Sequence, residues 1–321
     1  MKETVAIAHP NFALVKYWGK KDSKKNRPAM SSISVTVDSM ISKTKISKNS
    51  KSNHHQLFIN GVEQSDLSKI LPPIEYLSEF SKTDEYLVIE SQNNFPTSSG
   101  LASSASGVAS FVTAYEAHYE LCLDINHKVE ASMLGSGSAP RSLIGGFVFM
   151  DHKNNYRCSQ ILKEPEWPLD MLICIVSKES KKISSREGMK ISKKTSPIYQ
   201  DWLDVNEKHI NLALNAIKDK DISQLEKVTE NNCKLMHKVM KTSKPSISYM
   251  TDVTHGCLTE IEKLRSSGHK LFYTIDAGPQ VKIICDPKST EIIRDTITDN
   301  TGVIDIIYSG LGGPPRIINE D

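Results

Sequence analysis

One segment, Asn94-Phe95-Pro96-Thr97-Ser98-Ser99-Gly100-Leu101-Ala102-Ser103-Ser104-Ala105-Ser106-Gly107, constrains this chain more than any other. It follows a strand-like stretch at 85–91. It precedes residues 108–119, whose apolar positions at 108, 111, 112 and 115 recur at helical spacing. A strand therefore feeds a loop, and the loop feeds a helix. A helix N-terminus leaves backbone N–H groups unpaired at the positive end of its dipole, where phosphate is attracted. Gly100 and Gly107 open backbone conformations closed to other residues, and Ser103, Ser104 and Ser106 add hydroxyls for phosphate oxygens or Mg²⁺. No Gly-Lys-Ser/Thr ends the segment, so it is not a Walker A loop. A Ser-rich helix cap without a ligand has the same composition. The segment reads as a phosphate-binding loop.

The rest of the chain narrows the class. Its 321 residues suffice for two subdomains sharing an extensive core. Forty Lys plus Arg against 38 Asp plus Glu leave a net charge of +2, which argues against a dedicated nucleic-acid binder but not against a local basic pocket. The six cysteines lie far apart, with no Cys-x-x-Cys and no zinc spacing, and read as reduced thiols of a cytoplasmic protein. Strand-like sequence begins at Thr4, leaving no room for a signal peptide, and no apolar run is long enough to span a membrane.

Residues 4–8, 31–37, 56–59 and 85–91 read as strands. The Lys/Ser-rich run 43–51 reads as a solvated strand and loop, with phosphate binding as the lesser reading. Further strands are expected at 146–150, 171–176, 271–276 and 281–285, the last two joined by a turn at Ala277-Gly278-Pro279. Two amphipathic helices are expected at about 198–217 and 221–240. Strands grouped apart from helices predict an α+β fold. The division expected is residues 1–170, carrying the phosphate loop and substrate site, and 171–321.

Four other segments could carry chemistry. Gly135-Ser136-Gly137-Ser138-Ala139-Pro140-Arg141-Ser142 starts like a dinucleotide fingerprint, but Pro140 replaces the third glycine and no strand leads in. Arg141 offers instead a planar charged fork for a carboxylate or phosphate, or a surface ion pair. In Asn11–Lys20, Lys16 and Lys20 could both face an anion or simply snorkel over apolar surface. Lys181-Lys182-Ile183-Ser184-Ser185-Arg186 adds cations and hydroxyls, and equally suits a charged surface loop. Asp276 ends an apolar strand, where a partly desolvated carboxylate could take a proton from a substrate hydroxyl. On spacing alone, capping its own turn is the simpler role for it. The ten histidines form no metal-binding pattern, and no metal site made of protein ligands alone is expected.

Together these segments resemble the mevalonate diphosphate decarboxylases of the GHMP kinase superfamily. The matching stretches are NFALVKYWGK (11–20), SSISVT (31–36), NNFPTSSGLASSASG (93–107), GSGSAPRSLIGG (135–146), SSREGM (184–189) and YTIDAGP (273–279), in family order. The resemblance implies a domain like the second domain of ribosomal protein S5, followed by a ferredoxin-like domain carrying the catalytic Asp. It implies that ATP, with Mg²⁺, phosphorylates the 3-hydroxyl of mevalonate 5-diphosphate. Phosphate and CO₂ then leave to give isopentenyl diphosphate, a step of isoprenoid biosynthesis. By the same resemblance Asp276 is general base or orienting group, Arg141 grips the substrate carboxylate, and Lys16 supports the transferring phosphoryl group. Asn11, Tyr17, Lys20, Ser136, Ser138 and Arg186 are expected on the substrate. Thr97, Ser98, Ser99, Gly100, Leu101, Ala102, Ser103, Ser104 and Ser106 are expected on ATP phosphates, with Ser103 or Ser104 close to Mg²⁺ and Ser184 and Ser185 near the reacting phosphate. A homodimer is implied too, with no membrane or nucleic-acid partner.

Met30 and Pro140 depart from the residues common in relatives, and neither removes a proposed catalytic group. Related activities set the alternatives: decarboxylation of the monophosphate, ATP-independent decarboxylation of mevalonate 3,5-bisphosphate, or 3-phosphorylation alone. The intact Ser/Gly loop favours ATP use, and the joint presence of Lys16, Arg141 and Asp276 favours decarboxylation. A non-enzymatic phosphometabolite sensor or RNA binder is the reading of a different class. Against RNA stands the absence of a basic face interleaved with exposed aromatics.

Overall fold

The computed structural model describes residues 2–97, 100–179 and 181–319. The first half contains strands β1 (Glu3–Ala8), β2 (Asn11–Val15), β3 (Lys20–Asp22), β4 (Arg27–Pro28), β5 (Ser32–Thr36), β6 (Ser42–Lys48), β7 (Gln56–Ile59), β8 (Val62–Glu63), β9 (Leu87–Asn93), β10 (Phe147–Asp151) and β11 (Arg157–Leu162). Its helices are α1 (Leu71–Ser81), α2 (Ser103–His118), α3 (Ile125–Gly135) and α4 (Ala139–Ser142). The second half contributes β12 (Asp170–Ile175), β13 (Leu271–Ile275), β14 (Val281–Cys285), β15 (Asp305–Ser309) and β16 (Arg316–Ile318). Its helices are α5 (Ser185–Thr195), α6 (Tyr199–Asp204), α7 (Asn206–Lys218), α8 (Ile222–Lys241), α9 (Asp252–Ser266) and α10 (Thr290–Thr301).

Three larger sheets result, in the orders β16-β1-β6-β9-β7-β8, β11-β10-β5-β2 and β13-β14-β12-β15. Apart from the parallel β7–β9 pair, neighbouring strands run antiparallel, as an α+β fold requires. The last strand, β16, returns to pair with β1. The Lys/Ser-rich run takes the strand reading. In β6 the period of two buries Ser42, Thr44 and Ile46, while Lys45 turns out to meet Glu90 at 2.9 Å.

The third sheet decides where the site can lie, because both of its faces are covered. Leu271, Tyr273, Ile275, Val281, Ile283 and Cys285 pack with Cys257, Ile261 and Leu264 of α9 and Ile293 and Ile297 of α10. The alternate residues Phe272 and Ile284 turn toward the first half and pack in one cluster with Phe12, Leu14 and Ile33. The two halves thus share a core, and β2 lies at their junction.

One helix expected at 198–217 is two. Trp202 of α6 is buried with Trp18, donating Nε1–H to the Trp18 carbonyl at 3.1 Å, whereas Ile210, Ala213 and Ile217 of α7 enter the main core. Two different burial targets require two axes, and the chain turns at Val205.

Candidate functional site

A cavity of about 510 Å³ opens where β2, the N-termini of α2 and α5, the segment before α4 and the turn after β13 meet. Among the described residues its lining holds six cations (Lys16, Lys20, Lys69, Arg141, Lys181, Arg186) and two carboxylates (Asp66, Asp276). An excess of four positive charges in one cleft selects a multiply charged anion.

Lys16 and Asp276 form the centre. The Lys16 side chain is almost wholly buried, and its Nζ donates to Asp276 Oδ1 at 2.6 Å and to the Ala13 carbonyl at 2.9 Å. The Lys16 backbone N–H donates to Asn232 Oδ1 of α8 at 2.8 Å, which fixes the strand end that carries it. Burial raises the Asp276 carboxyl, but the ammoniums of Lys16 and Lys282 outweigh burial and bring it down to about 2. It is therefore ionised at neutral pH and weakly basic.

Arg141 is held by its neighbours before any ligand arrives. Its Nε–H donates to Asn11 Oδ1 at 3.1 Å and to Ser34 Oγ at 3.0 Å, and Nη1 donates to Ser32 Oγ. Its Cζ stands 5.8 Å from the Tyr17 ring centroid. Asn11 in turn donates to Ser142 Oγ at 2.8 Å and to the Ser138 carbonyl at 3.1 Å. A methyl group at Gly137 would stand 2.9 Å from Tyr17 Oη, so glycine there lets the ring sit close.

At one side Lys20 donates to Asn26 Oδ1, on which Arg186 Nη2 also converges at 3.5 Å. Burial, then the nearby Arg186 guanidinium, lowers Lys20 to about 8. Lys181 is likewise lowered to about 8, chiefly by burial, and donates to the Ala277 carbonyl and Ser185 Oγ, both at 2.8 Å. Ser184 caps α5, accepting from the Glu187 N–H at 3.1 Å. Ser136 and Ser138 face each other with hydroxyls 3.2 Å apart.

The Ser/Gly loop also lines the cavity. Gly100 has φ +89°, and a methyl group there would stand 2.8 Å from Gly278 Cα, so the loop packs directly on the turn after Asp276. Ala102, at the N-cap of α2, makes no side-chain cap. The positive ends of α2 and α5 both reach the cavity. Lys69 donates to Ser104 Oγ at 2.8 Å.

Of the residues singled out from sequence, Asn11, Lys16, Tyr17, Lys20, Gly100, Leu101, Ala102, Ser103, Ser104, Ser136, Ser138, Arg141, Ser184, Ser185, Arg186 and Asp276 line this cavity. Thr97 does not, and Ser98 and Ser99 lie outside the described residues. Ser106 is a correction: it is fully buried, with its hydroxyl 2.6 Å from Ser42 Oγ. It fastens α2 to β6 instead of facing a phosphate, as Ser110 does beside Thr44 at 2.6 Å. Sequence reasoning missed Lys69, Asn26 and the buried Lys282, and named Lys181 only as part of a cationic run that also suited a surface loop.

Two family models match the chain, the diphosphomevalonate decarboxylase-like N-terminal domain over residues 8–160 and the mevalonate 5-diphosphate decarboxylase C-terminal domain over 171–317. A diphosphomevalonate decarboxylase of Candida albicans is 32% identical, the match covering 100% of this chain and 99% of that one. The crystal structure of mevalonate diphosphate decarboxylase from Staphylococcus aureus is similar at a TM-score of 0.92 and 33% identity, over 99% of this chain and 98% of that one. MDDEF in complex with MVAPP, AMPPCP and magnesium is similar at a TM-score of 0.91 and 29% identity, over 99% of both chains.

Proposed function

The chain belongs to the diphosphomevalonate decarboxylase family, and from that premise we infer how its own residues divide the work. It has the GHMP kinase-type fold of that family and is an ATP-dependent decarboxylase of the mevalonate pathway. With ATP and Mg²⁺ it converts mevalonate 5-diphosphate to isopentenyl diphosphate, ADP, phosphate and CO₂.

The observation that carries the division of roles is the Lys16–Asp276 pair, in the cavity that the Ser/Gly loop and Arg141 also line. A carboxylate brought down to about 2 is too weak a base to ionise a tertiary alcohol in advance. Phosphoryl transfer is largely dissociative and asks chiefly for an oriented nucleophile, with proton loss late. Asp276 therefore orients the 3-hydroxyl by accepting its hydrogen bond. Lys16 holds Asp276 in place and balances charge on the transferring group. Arg141, pre-set by Asn11, Ser32 and Ser34, takes the substrate carboxylate. That grip aligns the carboxylate with the carbon–oxygen bond that breaks, so CO₂ departs as phosphate leaves. Tyr17, Lys20, Ser136, Ser138 and Arg186 receive the diphosphate, while Ser184 and Ser185 lie toward the reacting phosphate.

Leu101, Ala102, Ser103 and Ser104 hold the ATP phosphates at the start of α2. Among the described residues no group of three His, Cys, Asp or Glu is placed to hold a metal ion. Mg²⁺, when bound with the nucleotide, neutralises phosphate charge. The hydroxyl that fits it is that of Ser103, because Lys69 already occupies Ser104 and repels a second cation there. We read residues 1–170 and 171–321 as the two domains, and the enzyme as a cytoplasmic homodimer, the latter on family resemblance. Among the described residues no helix is long and apolar enough to cross a membrane.

The test supplies ATP, Mg²⁺ and mevalonate 5-diphosphate and measures ADP and CO₂ together; one of each per turnover is expected. ADP without CO₂ makes the chain a kinase. CO₂ from the 3,5-bisphosphate without ATP places it in the ATP-independent branch, and a preference for the monophosphate reassigns Lys20 and Arg186. A pH profile tests the diphosphate end. With Lys20 at about 8, it loses its proton as pH rises through that value, so kcat/KM for the substrate holds below and falls above. Lys20→Arg, whose guanidinium stays charged, is expected to carry that basic limb at least one pH unit higher. A limb that stays in place assigns it to Lys181 instead.

A further inference from the structure

Among the described residues, Lys282 is the most buried charge that the reaction above does not use. It lies in the middle of β14, between Val281 and Ile283, and its side chain is completely buried. The period of two aims it, like Ile284, at the first half of the chain. There its Nζ donates to the Gly100 carbonyl at 2.9 Å, stands 3.5 Å from Asp276 Oδ2 and lies 4.9 Å from the centroid of the Phe12 ring. A buried ammonium needs its donors satisfied, and three partners in three segments do so. Lys282 does not line the cavity, so it reaches a ligand only through other groups.

We propose that Lys282 is a positioning residue that ties the nucleotide-phosphate loop to the Asp276 carboxylate, so that one enclosed ammonium sets both at once. The proposal rests on the division of roles given above. Asp276 has one oxygen on Lys16 and the other facing Lys282, so the plane of its carboxyl group is fixed from two sides. Gly100, held by its carbonyl, starts the turn into α2, and its close approach to Gly278 leaves little room for the loop to shift independently. Displacement of either end therefore moves the other. Misplacing reacting groups by about 1 Å costs on the order of 10²-fold in rate.

Asp276 is faced by Lys16 and Tyr17 beside β2, Arg141 of α4, Cys233 and His237 of α8, Lys181 of the segment before α5, and Lys282. Among the described residues, Lys16 and Lys282 alone form ion pairs with its carboxylate oxygens. With Lys282 gone, burial works against Lys16 alone, and the carboxyl takes its proton at higher pH. One opposite charge at this range moves a carboxyl by about 1–3 pH units.

The experiment compares wild type, Lys282→Met and Lys282→Gln, measuring kcat, the KM of each substrate and the pH profile, with thermal melting as the folding control. Expected for Lys282→Met is a cooperative melt, a kcat about 10–100-fold lower, a raised KM for ATP and an unchanged KM for mevalonate 5-diphosphate. Its acid limb is expected about one pH unit or more above that of wild type. Lys282→Gln keeps a donor for the Gly100 carbonyl without the charge. It is expected to recover the KM for ATP but not the acid limb, and it carries the test if the methionine variant fails to fold. A folded variant with the wild-type acid limb and kcat overturns the proposal, as does an equal loss in every parameter with the acid limb in place. Failure of wild type itself to release ADP and CO₂ overturns the reaction assignment instead, so the two failures are distinct.

Discussion

Replacing Asp276 by Asn lowers ADP and CO₂ release together, with kcat down by about 10²-fold or more, while ATP still binds. The amide keeps the shape of the carboxylate but not its charge, and three things change with it. The 3-hydroxyl loses its strongest acceptor, so the attacking oxygen is no longer aimed. The Lys16 ammonium keeps at best a neutral amide oxygen where it had an anionic one at 2.6 Å, so its charge is no longer balanced and leans on the Ala13 carbonyl and the transferring phosphate. Lys282 keeps Gly100 but loses the second end of its bridge. Removing one partner of a fully enclosed ion pair costs about 3–5 kcal/mol. The cost here is smaller, because the Asp276 side chain is 23% exposed to the cavity. The melting temperature is thus expected to fall by a few degrees, not to collapse. Rapid-quench measurement of ADP and CO₂ alongside nucleotide titration checks this. Retention of more than about a tenth of wild-type kcat removes Asp276 from the centre of the reaction.

Arg141→Gln lowers kcat/KM for mevalonate 5-diphosphate by about 10²–10³-fold, with the KM for ATP nearly unchanged. The fork is buried, and its position is set by Asn11, Ser32 and Ser34. A hydrogen bond to a charged group is worth about 1.5–3 kcal/mol, so loss of a two-pronged grip on a carboxylate accounts for the range. Arg141→Lys is expected to recover little. A single ammonium cannot satisfy Asn11 and two serines while also pairing with the substrate. Steady-state kinetics on both substrates is the measurement. Recovery by Lys to within threefold of wild type reduces Arg141 to a point charge.

The sequence disclosed the site where motif and backbone logic coincide. The Ser/Gly loop had to lie at a helix start, and the turn at Ala277-Gly278-Pro279 had to end a strand at Asp276. Ser106 was misread because composition treats every serine in the loop alike. The helical turn divides them, sending Ser103 and Ser104 to the cavity and Ser106 to β6. Lys282 was passed over because a lone lysine in an apolar run looks like an outward residue. The hairpin register was available as a signal, since pairing Ile275 with Val281 sets Lys282 opposite Thr274, within reach of Asp276. Lys69 and Asn26 had no such signal. They arrive from segments whose approach depends on how the sheets stack, and no local pattern encodes that. The short β15 and β16 were invisible for the same reason, being strands only by virtue of what they pair with.

The pairing of β16 with β1 has a consequence for synthesis on the ribosome. Strand β1 waits for β16, made about 310 residues later, because Val5, Ala6 and Ile7 find their partners at Ile318, Ile317 and Arg316. At ordinary elongation rates that interval is on the order of tens of seconds. Throughout it, one margin of the first sheet presents open backbone donors and acceptors, the template on which nascent chains stick to one another. A chaperone-accessible window is therefore built into the order of the strands. Truncation just before residue 316 would make that window permanent.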